Sequence, residues 1–194
     1  MSVTHLGVNP AFTPTAVHDQ SLPENYILHV GNRADYKDAW TLTQSFQKLA
    51  PEFPDLKLLY VGGGKPTPAE QAQWGSSIQW LQAPETQLPS IYAQARLCVV
   101  PSRYEGFGLP ALEGLAAGTP QILADTSSLP EVGGNAARYF TPGNIPQLTE
   151  LISEVLTNRQ LAKEMSESGL EQAKKFTWHG YAQATANVYT KTLG

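Results

Sequence analysis

A Rossmann-like, doubly wound parallel α/β sheet is the fold class that this sequence predicts, on two observations. First, short β-rich runs at 26–31, 56–61, 78–81, 97–100 and 121–124 alternate with helix-like segments. Second, 194 residues of which 41% are hydrophobic and 15% charged suit one or at most two compact domains with a sizeable core. Alternation of this kind implies parallel strands. Because βαβ crossovers are right-handed and cover both faces, a ligand is expected at the carboxyl ends of the strands.

Along the chain, residues 1–25 hold three prolines and no sustained periodicity, so they read as an extended leader or interdomain linker. The packed domain, 26–194, begins near Tyr26. Helices are expected at 38–49, 87–96, 109–117, 146–157, 161–174 and 178–190. No strand is expected between the last three, which would wrap the sheet or reach beyond it. Neither internal repeats nor low-complexity segments are present.

Composition narrows the function classes. With a formal net charge of −4 and a pI near 5.5, no broad basic surface is available for a nucleic-acid backbone. The apolar runs are strand-length, so neither a membrane span nor a signal peptide is expected, and the composition fits a cytoplasmic protein. Cys98 lies in an apolar run without a cysteine partner and reads as a buried core thiol. His5, His18, His29 and His179 are too scattered for a metal site and read as structural. Trp74, Trp80, Tyr92 and Trp178 are expected to pack against the sheet.

The most informative segment is PSRYEGFGLPALEGLAAGTP, 101–120, which follows a strand and opens a helix. Pro110 suits the first helical position, which would make Leu109 the cap and put Glu113 about one turn inside. Gly106 and Gly108 then form a flexible approach to a helix amino terminus, where unpaired N–H groups and the helix dipole favour an anion such as phosphate. An ordinary glycine-containing turn accounts for the same spacing. Glu105 and Glu113 could each accept hydrogen bonds from neighbouring hydroxyls, one on a sugar and one on a ribose. Paired carboxylates also suit glycoside hydrolysis, but a phosphate-cradling turn between them has no role there.

After the first strand, GNRADYK places Arg33 and Lys37 at the carboxyl end of the sheet, as a bidentate fork and a compact ammonium for a diphosphate. The alternative is that both are solvated and pair with Asp35 or Asp38. Gly62, Gly63, Gly64 and Lys65 superficially resemble a P-loop, but Leu59 stands where the first glycine is required and Pro66 where a serine or threonine would hold magnesium. This run reads as a flexible turn that permits close approach of a base or ribose, or as a structural turn.

These residues resemble the carboxy-terminal domain of the family 4 (group 1) glycosyltransferases, enzymes of the two-domain GT-B architecture. The resemblance rests on YILHVGNRADYK, LKLLYVGGG, IYAQARLCVVPSRYEGFGLPALEGLAAGTP, LPEVGGNAARYF and FTWHGYA, and the leader VTHLGVNPAFTP looks like the segment leaving the family's amino-terminal domain. The resemblance implies transfer of a sugar from a nucleotide diphosphate sugar with retention of configuration, without a divalent metal or other cofactor. It further implies that Arg33 and Lys37 neutralise the diphosphate, that Glu105 with the backbone of Gly106, Phe107, Gly108 and Leu109 holds the sugar, and that Glu113 binds the ribose. Residues 78–82, Leu81 among them, would meet the base, with Gly31 and Gly62 beside the donor. Arg33, Lys37 and Glu105 carry the catalytic expectation. Gly114 stands where the family usually has alanine, and Gln121 replaces an apolar strand residue.

The amino-terminal acceptor domain of that family, with its glycine-rich loop and catalytic histidine, has no counterpart in these 194 residues. The expectation is therefore a donor-binding half of a polysaccharide or glycoconjugate glycosyltransferase, inactive in isolation. A non-catalytic nucleotide-sugar-binding module, or part of a GT-B-like epimerase or phosphorylase, are the alternatives.

Overall fold

The computed structural model describes residues 2–33 and 35–193; Met1 of the leader, Ala34 of the first crossover and Gly194 lie outside them. Six parallel strands form one sheet: β1 (Tyr26–Val30), β2 (Lys57–Val61), β3 (Ile78–Leu81), β4 (Leu97–Val100), β5 (Gln121–Ala124) and β6 (Ala137–Phe140). Their spatial order is β3-β2-β1-β4-β5-β6, so the chain reverses direction across the sheet between β1 and β4. That reversal is the switch point at which a crevice opens beyond the strand ends. The central strands are apolar runs without alternation, as burial on both faces requires: YILH of β1 and all of β4 and β5 are buried.

The helices are α1 (Ala39–Leu49), α2 (Pro68–Trp74), α3 (Leu88–Gln94), α4 (Leu109–Ala116), α5 (Leu129–Gly133), α6 (Ile145–Thr157), α7 (Arg159–Ala173) and α8 (Trp178–Leu193). Right-handed crossovers put α1 and α2 on one face and α3, α4 and α5 on the other. α6 packs on α1, and α7 packs on α4. Asp38 caps α1, its carboxylate accepting from the Thr41 amide at 3.3 Å and hydroxyl at 2.8 Å. No helix among the described residues is long and apolar enough to cross a membrane.

The sequence placed five strands correctly and missed β6, α2 and α5. The cap of α4 also needs correction: Gly108 is the cap, Leu109 the first helical residue and Pro110 the second. Trp178 is about half exposed and meets Tyr181 edge-on, so it does not pack against the sheet. Tyr92 and Cys98 are buried in the core. The described part of the leader, 2–25, runs through several turns and lies on the packed body. Phe12 enters the core edge-on to Tyr92, with ring centroids 5.6 Å apart, and the Val8 amide donates to Phe176.

Candidate functional site

The loop between β4 and α4 is built around one glycine and one buried carboxylate. Gly108 has φ 93°, a conformation L side chains avoid, and a Cβ there would sit 3.0 Å from Leu129 Cδ2. The turn brings the amides of Gly106, Phe107, Gly108 and Leu109 to the start of α4, where no acceptor among the described residues meets them. Pro110 contributes no amide, so the donors of this cradle are those four.

Glu105 is buried in that loop. Its Oε1 accepts from Ser102 Oγ and from Lys37 Nζ, each at 2.7 Å. The Lys37 and Glu105 side chains are 12% and 9% exposed, so little water screens their pairing. Lys37 thus reaches from the β1–α1 connection across the switch point to the β4–α4 turn and pairs there with Glu105 rather than with Asp35 or Asp38. Two more contacts tie the same loops: the Arg103 amide donates to Tyr36 at 2.7 Å, and Arg103 Nε pairs with Asp38 at 3.1 Å.

The β5–α5 connection fixes the other side. Ser127 Oγ accepts from the Glu105 amide at 2.9 Å, and Ser128 Oγ donates to the Glu105 carbonyl at 3.0 Å. Neither of these two serines was singled out from the sequence. The signal was present in DTSSLP, which follows β5 at the same edge of the sheet.

Gly31, Gly62 and Leu81 stand side by side at the carboxyl ends of β1, β2 and β3. The Gly31 amide donates to Val61 at 2.9 Å, and the Gly62 amide donates to Leu81 at 3.0 Å. A Cβ on Gly62 would come within 3.1 Å of the Gly31 carbonyl oxygen, so this rim is backbone against backbone. Behind it, His29 is buried and donates from Nδ1 to the Val99 carbonyl at 3.1 Å. Burial, reinforced by Lys37, holds its pKa low, so the imidazole stays neutral.

Glu113 lies farther along α4, facing α3. The Tyr92 hydroxyl donates to its Oε2 at 3.0 Å. Burial pushes this carboxyl up to about 7 against the lowering effect of that hydrogen bond, with Glu85 adding to the rise.

Arg33 is the residue that the structure does not bring to the turn. Its guanidinium pairs with Glu70 of α2 at 2.5 Å, donates to the Lys65 carbonyl at 3.1 Å and lies 5.5 Å over the Trp80 ring. Its stem runs against Gly63, where a Cβ would be 2.9 Å from Arg33 Cγ. Phe107 turns its ring toward Phe176 and His5 and offers the crevice only its backbone. Among the described residues no group of three or more His, Cys, Asp or Glu side chains converges where a metal ion could be held.

A family model described as "Glycosyl transferases group 1" matches residues 15–172. The chain is 32% identical over 174 residues to the O-antigen chain mannosyltransferase B of Escherichia coli, covering 86% of this chain and 46% of that protein. Sucrose-phosphate synthase from Thermosynechococcus elongatus superposes with a TM-score of 0.79 at 25% identity, over 97% of this chain and 51% of its own. The C-terminal domain of a glycosyl transferase group 1 family protein from Francisella tularensis superposes with a TM-score of 0.73 at 20% identity, over 87% of this chain and 97% of that domain, a likeness of fold alone. The chain spans about half the length of the first two.

Proposed function

The chain belongs to the glycosyl transferases group 1 family, its sheet being one Rossmann-like half of the GT-B architecture, and from that premise we propose that it is the donor-binding wall of a retaining glycosyltransferase. The substrate is a nucleotide diphosphate sugar. The family is one of transferases, and mannosyltransferases among the relatives make mannose the first candidate for the sugar.

One observation carries the reading: Lys37 and Glu105 meet at 2.7 Å beside the amide-lined start of α4, at the switch point of the sheet. Lys37 and the amides of Gly106 to Leu109 would hold the diphosphate and stabilise the charge it gains as leaving group. Glu105, freed from Lys37 as that lysine turns to the phosphates, would accept from sugar hydroxyls. Glu113 would take the ribose hydroxyls, and the rim of Gly31, Gly62 and Leu81 would approach the nucleoside. Arg33 would join the diphosphate only by leaving Glu70. No metal ion or further cofactor enters this scheme.

The acceptor is assigned to an amino-terminal domain of the kind the longer relatives have room for, and the chain alone is expected to bind donor weakly and transfer nothing. The test is calorimetric or NMR titration of UDP, GDP and ADP and their sugars, GDP-mannose included. One nucleotide diphosphate is expected to bind, with the response lost in Lys37→Ala. Binding by none of them, or undiminished binding in that variant, refutes the assignment.

A further inference from the structure

A second cavity, of about 580 Å3, opens between α1 and α2, on the face of the sheet opposite α3 and α4. Its size is that of small-molecule pockets in general. Trp40, Tyr60, Trp74 and Trp80 line it, with the Arg33–Glu70 pair among them. Trp80 stacks with each of the other two inner rings, its centroid 5.8 Å from those of Tyr60 and Trp74. Trp40 stands at 61% exposure on the first turn of α1, a large apolar ring that no core contact explains. Three of the chain's four tryptophans are thus gathered at one opening.

We propose that this cavity is a saccharide-binding site, distinct from the donor crevice, that takes an uncharged pyranose unit between Trp40 and the Arg33–Glu70 pair. A pyranose presents an apolar C–H face, which stacks on an aromatic ring, and hydroxyls at its edge, which bridge a donor and an acceptor held side by side. Trp40 supplies the first; Arg33 and Glu70 supply the second. The pair is internally neutral, so nothing in the cavity selects an anion such as a phosphate. A cationic ligand is disfavoured as well, because the guanidinium of Arg33 already occupies the face of Trp80.

A second observation agrees. Arg33 Nε, Trp74 Nε1 and Trp80 Nε1 are all buried without an acceptor among the described residues. Buried donors are normally paired, so three together mark a wall whose hydrogen bonding is incomplete. α2 buries none of its residues and is held to the body by the Arg33–Glu70 pair and by Trp74 stacked on Trp80, so a small shift of the helix can offer Trp74 Nε1 to a hydroxyl oxygen.

This inference does not rest on the donor assignment, which uses Lys37 and the start of α4; the two would share only Arg33, which serves the saccharide while it stays paired with Glu70. The test is intrinsic tryptophan fluorescence and ligand-observed NMR of the chain, titrated with methyl α-D-mannopyranoside, methyl α-D-glucopyranoside and α-mannobiose. UDP and GDP are titrated into the same preparations. At least one glycoside is expected to change the emission, and Trp40→Ala, which alters an exposed side chain, should weaken that response roughly tenfold. Glu70→Gln, which keeps the helix cap, should weaken it as well, while the nucleotide response of Trp40→Ala stays that of the parent. The proposal is overturned if no glycoside produces a response, or if the response survives Trp40→Ala.

Discussion

Gln121 occupies the space into which a side-chain carbon at position 114 would project: a Cβ on Gly114 would collide with the Gln121 carboxamide. The glutamine is fully buried in β5 and donates to the Thr119 carbonyl at 2.9 Å. The two positions at which the sequence departs from its family's pattern are therefore one packing unit, a longer residue in the strand offset by a missing one on the helix. Gly114→Ala alone should destabilise the fold by about 1–2 kcal/mol, overcrowding outweighing the gain in helix propensity. Paired with Gln121→Val it should recover most of that loss, with a coupling on the order of 1 kcal/mol in urea denaturation. Simple additivity of the two changes would contradict the contact.

The raised pKa of Glu113 has a sign that can be tested. The folded protein favours the protonated carboxyl, so stability should fall as pH rises from its ordinary value of 4.5 through about 7. Thermal unfolding should show Glu113→Gln gaining on the parent over that window. Ribose hydroxyls donate to the ionised form, so nucleotide affinity should weaken below pH 7, by up to about tenfold per pH unit. An affinity in the parent that is flat between pH 5.5 and pH 8 (values set by about 1.5 and 1 unit around that pKa) would remove Glu113 from the ribose site.

Lys37 and Glu105 should behave as a unit. Lys37→Met leaves a buried carboxylate with Ser102 as its remaining side-chain partner and should cost on the order of 3 kcal/mol. Lys37→Met with Glu105→Gln should cost less than Lys37→Met alone. Chemical denaturation of the three variants decides it, and a double variant less stable than the single one would mean that the pairing has little energetic weight.

Gly108→Ala combines a positive φ with pressure on Leu129 and should destabilise by roughly 1–3 kcal/mol while misplacing the amides of the α4 start. Calorimetry should then show weaker nucleotide diphosphate binding. Gly106→Ala, where a Cβ meets nothing within 4 Å, is the control for space at the same loop.

Most of the sheet was legible because buried parallel strands announce themselves as uninterrupted apolar runs, as LCVV does. ARYF was not read as a strand, since Arg138 is exposed on this edge strand and breaks the run. α2 escaped because it buries no residue and so carries no apolar period, although Thr67, Pro68 and Glu70 spell out a capped helix start. Lys37 and Glu105 were found through their positions at strand ends, which topology brings together. Arg33 occupied an equally suggestive position, but the side chain is drawn aside by Glu70, 37 residues later, and spacing near Arg33 holds no trace of that. The serines that clamp Glu105 come from a third connection and become visible only once β5 is placed beside β4.

The Phe12 contact gives the first stretch of chain a mechanical role. Phe12 braces Tyr92, and Tyr92 holds Glu113, so a link of three side chains joins the strap preceding β1 to a carboxylate on α4. Pulling on that strap, or cutting it away, would slacken Glu113 without touching any residue that faces the crevice.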